Sequence, residues 1–302
     1  MRIGIDFGGT NYKLGLFSSE GEMLKFEERK VLDLTLEGDL LLNLIDSVKE
    51  FCGEKKITQG GFATKGLVNS FTGMLEEDIG IANLFSGRNI RDEFSKALNA
   101  PFVVDNDARA YAWGEWKFGA GSGSQSMVCM TLGTGLGCAL ILDGKPFRGS
   151  DPVGGLLGGH ISIDRNGPEC VCGNTGCLEF YCSATGLIKA VKDEFTEFKK
   201  HDDVLPLYFE EYSRNKKKYE KVLKEFNNNL AIGIVNVIHA YGPDTIVIGG
   251  GVIKSADYFL DDVISLVNKK AWTVPRGKVK IKTSKLGNKA AVIGAAFLPK
   301  PK

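Results

Sequence analysis

The chain lacks a long apolar run, a strong excess of either charge and an even set of cysteines, and each absence removes a class of protein. No apolar stretch in the 302 residues approaches the ~20 residues of a membrane span. The N-terminal segment MRIGIDFGGT has neither the apolar core nor the cleavage site of a signal peptide. A net charge of +1 gives no electrostatic basis for binding nucleic acid or an anionic membrane. Seven cysteines cannot all pair, which favours a reducing cytoplasm over a disulfide framework.

Both standard glycine-rich nucleotide motifs are also missing from the turns that carry glycine, since neither G-x-x-x-x-G-K-[ST] nor a strand-to-helix G-x-G-x-x-G fits them. Instead, GIDFGGTNYKLGLF near the start and CMTLGTGLGCALIL near the middle each read as a strand, a glycine turn and a second strand. This repeated pattern predicts two copies of one strand-rich α/β unit, and the chain is long enough for two domains.

These glycine turns suit phosphate binding, because glycine lets backbone N–H groups approach an anion closely. Gly8-Gly9-Thr10-Asn11 and Gly133-Thr134-Gly135 are therefore candidates to hold the β- and γ-phosphates of a nucleotide across a cleft. The alternative for each is an ordinary hairpin turn. Gly249-Gly250-Gly251 follows a buried strand and precedes a helix, where an adenosine could stack, or where the chain simply makes a tight β–α connection.

Two carboxylates follow buried strands. Asp6 ends the first strand beside the glycine turn, where it could hold a metal-bound water near phosphate. Asp107 follows the strand ending at Asp105 and opens a helix. It is either a helix cap or a base that faces a cleft at the carboxyl ends of the strands.

The densest group of chemically active residues is GGHISIDRNGPECVCGNTGCLE, which contains His160, Cys170, Cys172 and Cys177. Three thiolates and one imidazole are the ligand set of a closed, structural zinc site. The Cys-x-Cys spacing is tighter than in generic zinc fingers. Reduced surface thiols in a flexible loop are the alternative, but the loop has almost no apolar residue to bury, which favours zinc.

The remaining patterns predict the outline of the fold. Apolar positions at helical spacing predict a helix at 39–51, and further helices are expected near 90–98, 184–194, 219–241, 255–269 and 290–298. The segment Thr196–Lys218 is highly charged and is interpreted as an excursion at the surface. The small residues of the last helix allow it to return to the first domain.

DFGGTNYKLGLF, VDNDARA, LGTGLG, the His-x9-Cys-x-Cys-x4-Cys loop with its Cys-Leu-Glu ending, and IGGG occur in one order. That order resembles the ROK family of sugar kinases and sugar-responsive repressors over nearly the whole chain. The resemblance implies the actin-like ATPase (ribonuclease H-like) fold, with two α/β domains that flank a cleft. The domains are expected at 1–108, with 289–302 packing back on it, and at 109–288, which contains the zinc loop 160–177. ATP, Mg²⁺, a structural Zn²⁺, a sugar substrate and a homodimer are implied with it.

By motif position, Asp107 resembles the family's catalytic base, and His160 both a zinc ligand and a sugar contact. The other sugar contacts implied are Gly66, Asn83, Asn106 and Glu179. The residues implied at ATP and its phosphates are Asp6, Gly8, Gly9, Thr10, Asn11, Lys13, Gly133, Thr134, Gly135, Gly250 and Gly251.

Three positions depart from the family pattern. Leu157 stands where a sugar-binding glutamate is usual, which removes about 1–3 kcal/mol of recognition. Lys65 replaces proline or glycine, and Arg109 replaces asparagine. The changes are consistent with a substrate that lacks the hydroxyl pattern of glucose or carries an N-acyl or anionic group. The alternative is drift around an ordinary hexose pocket.

The function expected is ATP-dependent phosphorylation of the 6-OH of a hexose or N-acetylhexosamine. A repressor of the same family would carry a helix-turn-helix before the first glycine turn, and Asp6 leaves no room for one. A non-catalytic sugar sensor is kept open by Leu157 and opposed by the intact Asp6 and Asp107. An actin-like ATPase acting on proteins would not need the zinc loop.

Overall fold

The structure, a computed structural model, describes residues 1–36, 38–77, 85, 87–149 and 157–301. The strands described are β1 (Arg2–Phe7), β2 (Asn11–Phe17), β3 (Met23–Lys30), β4 (Gln59–Thr64), β5 (Leu67–Asn69), β6 (Met74–Glu77), β7 (Phe102–Asn106), β8 (Met127–Leu132), β9 (Leu136–Leu142), β10 (Lys145–Pro146), β11 (Thr245–Gly249) and β12 (Lys280–Thr283). The α-helices are α1 (Leu40–Cys52), α2 (Ile90–Leu98), α3 (Asp107–Phe118), α4 (Leu178–Cys182), α5 (Ala184–Glu194), α6 (Val204–Arg214), α7 (Lys216–Tyr241), α8 (Leu260–Lys270) and α9 (Ala290–Phe297). Among the described residues, no helix is both long and apolar enough to cross a membrane.

Two five-stranded sheets repeat one topology. The first has the order β3-β2-β1-β4-β7 and the second the order β10-β9-β8-β11-β12. In each, an antiparallel hairpin (β1 with β2, β8 with β9) is extended on its first strand by two parallel strands. The prediction of two copies of a strand–turn–strand α/β unit is therefore confirmed.

Contacts divide the chain into two compact units. The first comprises Met1–Gly123, Lys145–Leu156 and Lys285–Lys302, and the second comprises Ser124–Gly144 and Leu157–Ser284. The sequence placed the first boundary after residue 108, at the start of α3, whereas all of α3 belongs to the first unit. The reason is that α3 packs closely on α9 within that unit: a Cβ added to Gly294 would lie 1.7 Å from the carbonyl oxygen of Ala110.

Helix α1 shows why the first unit forms its core where it does. Its apolar residues recur at helical spacing, so one face of the helix is buried against the sheet. Asp39 begins the helix by accepting a 2.9 Å hydrogen bond from the backbone N–H of Leu42. The buried residues of this helix are Leu40, Leu41, Leu44, Ile45, Val48, Phe51 and Cys52.

Helix α9 packs directly on the first sheet. A Cβ on Gly4 of β1 would lie 2.0 Å from the carbonyl oxygen of Val292, and a Cβ on Gly61 of β4 would lie 1.8 Å from that of Ala295. Such distances are impossible for real side chains, so the two glycines allow the backbone of the helix to contact the strands. The last helix thus completes the unit in which the chain begins.

The expectation of a surface excursion at Thr196–Lys218 is wrong for its aromatic residues. Phe198, Tyr208 and Phe209 are each no more than 2% exposed. They form an aromatic cluster with Phe195 and Tyr219, and the Tyr208 hydroxyl donates to the Tyr219 carbonyl at 2.8 Å. The many charged side chains on the exposed faces of α6 and α7 conceal this buried stripe in the sequence.

Candidate active site and metal centre

The carboxyl ends of three parallel strands bring the candidate residues of the first unit to one edge of its sheet. Asp6 lies in register with Ala63 near the end of β1 and β4, and Thr64 lies in register with Asn106 at the end of β4 and β7. Asp107 follows as the first residue of α3. Crevices at this edge of α/β sheets are where ligands bind.

Asn106, and not Asp107, caps helix α3. Its side-chain oxygen accepts from the backbone N–H of Ala108 at 3.0 Å, and its amide donates to the carbonyl oxygen of Gly66 at 3.2 Å. Asp107 Oδ1 also accepts from Ala108, at 2.8 Å, while its Oδ2 makes no hydrogen bond with any described residue. One carboxylate oxygen of Asp107 is therefore available to accept a proton.

The electrostatics of this edge favour a base. Burial raises the pKa of the Asp107 carboxyl, and the negative charge of Asp6 raises it further. Burial likewise raises the pKa of Asp6, although the Lys13 ammonium, 3.1 Å from Asp6 Oδ2, acts in the opposite direction. A carboxyl whose pKa is moved towards neutrality accepts a proton more readily than an ordinary aspartate does.

The glycine turn of the first unit is a tight hairpin between β1 and β2. The N–H of Gly8 donates to the carbonyl oxygen of Asn11 at 3.0 Å. A Cβ on Gly9 would meet nothing within 4 Å, so the outer side of the turn is open. Thr10 is exposed beside it, whereas the Asn11 amide already donates to Glu28 at 2.8 Å.

The glycine turn of the second unit is braced by the helices that follow the cysteine loop. Gly133 N–H donates to the carbonyl oxygen of Gly135 at 2.9 Å, which closes the turn. The start of α5 holds it from the other side, since Ala184 N–H donates to Gly133 and the Thr185 hydroxyl donates to Thr134, both at 2.7 Å.

Glu179 lies against the same turn. Its Oε2 accepts from the backbone N–H of Leu136 at 2.7 Å, and a Cβ on Gly135 would lie 2.4 Å from that oxygen. The absence of a side chain at Gly135 therefore makes room for the carboxylate. Since Glu179 follows Cys177 by two residues on α4, the cysteine loop and the glycine turn are joined through this side chain.

Gly250 meets the same edge of the second sheet. β8 and β11 are parallel, with Thr131 in register with Gly249. Gly250 has a φ of +89°, and a Cβ there would lie 2.4 Å from the carbonyl oxygen of Leu132, so only glycine fits. A Cβ on Gly251 would meet nothing within 4 Å, which leaves an open surface beside the turn.

The four predicted metal ligands converge. All their donor atoms lie within 4.8 Å of one another, with 3.7 Å between the sulfurs of Cys172 and Cys177 and 3.6 Å between Cys170 Sγ and His160 Nδ1. Two sulfurs on one tetrahedral zinc are about 3.8 Å apart, and a sulfur and a nitrogen about 3.6 Å, from zinc–sulfur and zinc–nitrogen bonds of about 2.3 and 2.05 Å. The cluster is compatible with a structural zinc ion.

Backbone turns hold these ligands in place. Cys170 N–H donates to the carbonyl oxygen of Asn174 at 2.7 Å, and the Asn174 amide donates to the carbonyl oxygen of His160 at 3.1 Å. Gly176, at a φ of +64°, passes so close to Asp164 that a Cβ would lie 1.8 Å from its carbonyl oxygen. The geometry of the loop therefore requires glycine at position 176, and Asn174 stabilises the loop through its two hydrogen bonds.

The residues that depart from the family pattern have different surroundings. Leu157 is 48% exposed and Lys65 is also exposed. Arg109 is only 5% exposed, and its Nε lies 2.5 Å from Asp105 Oδ1. Its guanidinium is buried against Asp105 inside the first unit, and a contribution of its charge to the substrate pocket stays a prediction. Asn83 lies outside the described residues.

Sequence reasoning missed the buried carboxylate of Asp105 and its second partner, Arg148. Asp105 and Arg109 are four residues apart at the start of a helix, a spacing that favours an ion pair and could have indicated their contact. Arg148 is distant in sequence and gave no such signal.

Two units with the same sheet order, each with a glycine hairpin at its carboxyl edge, define an actin-like ATPase fold. Residues 2–302 match the ROK family, and the chain belongs to it. A glucokinase from Thermotoga maritima is 26% identical over 99% of this chain and 96% of its own length. A xylose repressor from Caldicellulosiruptor bescii is 27% identical over 97% of this chain and 76% of its own. The crystal structure of a Streptomyces griseus ROK glucokinase with glucose and AMPPNP has a TM-score of 0.79 at 26% identity, covering 98% of this chain and 97% of that one.

Proposed function

We propose that the protein is an ATP-dependent sugar kinase that transfers the γ-phosphoryl group to a primary hydroxyl, the 6-OH of a hexose or N-acetylhexosamine. The observation that carries the proposal is Asp107, which lies at the carboxyl edge of the sheet, has a raised pKa, and has one carboxylate oxygen without a hydrogen-bond partner among the described residues. Kinship with glucokinases supports the same activity.

In this reaction, the sugar hydroxyl oxygen attacks the γ-phosphorus, the bond to the β-phosphate oxygen breaks, and ADP leaves. Asp107 takes the hydroxyl proton, while Asn106, anchored to Gly66, orients the sugar. Phosphoryl transfer depends chiefly on positioning and on charge neutralisation, so a rigid edge of this kind supplies most of what the chemistry needs.

The two glycine turns would hold the nucleotide phosphates through backbone N–H groups, and the open surface at Gly251 would accept the adenosine. ATP would arrive with Mg²⁺, whose charge offsets that of the phosphates, and Asp6 with its partner Lys13 would face it. Zinc in the His160 cluster would fix the loop that presents Glu179. The homodimer and the cytoplasmic location stay predictions.

The test is ADP release with ATP-Mg across hexoses, N-acetylhexosamines and sugar acids. Asp107→Asn is expected to lower turnover by about 10²–10⁴-fold, the usual contribution of a general base, while the sugar still raises the melting temperature. Asp46→Asn, an equivalent change at a side chain that is 75% exposed, is the control and should keep full turnover.

Equal turnover in Asp107→Asn and Asp46→Asn would remove Asp107 from the mechanism. A sugar-binding sensor is the second candidate, favoured by Leu157 and by the repressors among the relatives. It predicts stabilisation by a sugar with no ADP release on any member of the panel.

Leu157→Glu tests the substrate. A carboxylate that accepts sugar hydroxyls is worth about 1–3 kcal/mol, so the KM of a hexose with the full hydroxyl pattern is expected to fall by roughly 5- to 150-fold. An unchanged KM across all sugars would mean that position 157 does not contact the substrate.

A further inference from the structure

A buried ion cluster lies immediately before the proposed base. Asp105 is completely buried, and its Oδ1 accepts from Ser70 Oγ at 2.9 Å, from the backbone N–H of Asn106 at 2.8 Å and from Arg109 Nε at 2.5 Å. Its Oδ2 accepts from Arg148 Nε at 2.9 Å and from Nη2 of the same residue at 2.6 Å. All of these residues belong to the first unit.

The cluster keeps Asp105 ionised. Burial alone would raise the pKa of Asp105, but the adjacent Arg109 and Arg148 guanidinium groups hold it below its usual value. The side chains of both arginines are less than 10% exposed. Two cations thus share one buried carboxylate, next to a residue whose own pKa is moved in the opposite direction.

Fold stability does not by itself account for such a cluster. Removing three charges from water is costly, and buried ion pairs are often replaced by apolar residues without loss of stability. The cluster does fix the backbone: the bond from Asn106 N–H to Asp105 Oδ1 holds the Asp105–Asn106 peptide unit, which immediately precedes Asp107.

Arg148 brings a second part of the chain to this point. It follows β10 and precedes Leu157 and His160 in the sequence, so it begins the segment that leads to the proposed sugar-binding loop. Its guanidinium donates hydrogen bonds to Asp105 Oδ2 from Nε and from Nη2, and Nη2 also lies 3.5 Å from the carbonyl oxygen of Pro299. A two-nitrogen contact fixes orientation as well as distance.

We propose that Asp105 and Arg148 are a positioning pair for the base, which hold the end of β7 so that Asp107 faces the sugar hydroxyl. The inference deepens the proposed function and rests on it. The other charged groups that act on Asp107 are Asp6, Lys65 and Arg109. Asp6 is in turn affected by Lys13 and Glu28.

The test compares Arg148→Met, Arg148→Lys and Asp105→Asn in the full chain, by kcat, KM for sugar and for ATP, the pH dependence of kcat, and melting temperature. Loss of the arginine cation should raise the pKa of Asp107 and move the acid limb of kcat to higher pH. Loss of the Asp105 anion should move that limb to lower pH. A purely structural role would not produce opposite shifts.

Arg148→Met is expected to lower kcat by roughly 10²-fold, the usual effect of a misplacement of about 1 Å, with the KM for ATP unchanged. Arg148→Lys keeps the charge and one donor, so it should fold if Arg148→Met does not, and it should return the acid limb towards the wild type. Arg214→Met, which removes a guanidinium that is 62% exposed on α6, is the control.

Unshifted acid limbs, or a kcat that falls only with the folded fraction, would overturn the positioning pair while leaving the kinase intact. Absence of turnover in the wild type on every sugar would instead overturn the proposed function, and the positioning pair with it.

Discussion

Gly135→Ala should displace the Glu179 carboxylate while changing the stability of the second unit only slightly, so that the effect of the carboxylate's position on catalysis can be measured. The new Cβ would lie 2.4 Å from Glu179 Oε2 and 3.3 Å from its carboxyl carbon. Ordinary contact requires about 3.4 Å or more, so the carboxylate has to move by about 1 Å. Because it is the end of a flexible side chain, the carboxylate can move without displacing the backbone.

The expected result is a small loss of stability and a large loss of catalysis. The displaced carboxylate gives up its bond to the Leu136 N–H, which costs about 1–2 kcal/mol. If Glu179 contacts the sugar, a shift of about 1 Å lowers kcat/KM for the sugar by roughly 10²-fold. Melting temperature and steady-state kinetics with each substrate varied in turn provide both numbers.

Gly133→Ala is the matched control in the same turn. Its Cβ would meet only the carbonyl oxygen of Gly135, at 3.9 Å, and so does not touch Glu179. Both variants place a methyl group near the proposed phosphates and should raise the KM for ATP, but only Gly135→Ala should raise the KM for sugar. Identical sugar kinetics in the two variants would refute the role of Glu179, and a collapse of the fold in Gly135→Ala would refute the steric argument.

Three further results are expected. Cys172→Ser should lose the bound metal, about one zinc per chain, and should melt at a lower temperature. Cys52→Ser, in α1, is the control and should keep the metal. Metal analysis that finds no metal in the wild type would contradict this prediction. Gly61→Ala forces a Cβ to 1.8 Å from the backbone of Ala295 and should cost at least about 1–3 kcal/mol in chemical unfolding, so a wild-type midpoint would be evidence against the packing described. The pKa of Asp107 is raised by burial, so the folded protein loses stability as the pH rises through that pKa and the carboxyl ionises. Asp107→Asn should therefore melt no lower than the wild type at neutral pH. A markedly lower melting temperature would contradict the conclusion that burial of the Asp107 charge is unfavourable.

The parts of the fold that could be predicted are those encoded by local patterns. The glycine hairpins were recognised because strand residues border a short turn, and α1 because its apolar residues follow a helical period. The metal ligands were found because four donors of two types lie within one short loop. Each of these signals is contained in a few neighbouring residues.

What could not be predicted depends on contacts between distant segments. Nothing near Arg148 indicates that it meets Asp105, and nothing near Gly4 or Gly61 indicates that α9 contacts them. Arg109 shows the converse difficulty, since the sequence places an arginine beside the proposed base but does not reveal that it is buried against Asp105. A charged residue is visible in a sequence, whereas its burial and its ion-pair partner are properties of the fold.

The place of α9 in the first unit has a consequence for how the protein is made. β1 precedes the second unit in the chain, whereas the helix that covers Gly4 and Gly61 follows the whole of that unit. The surface reserved for α9 therefore stays uncovered on the ribosome while the second unit emerges and folds. A nascent chain of this design exposes an apolar strand surface to chaperones while the second unit is being made, and the first unit is completed after the second.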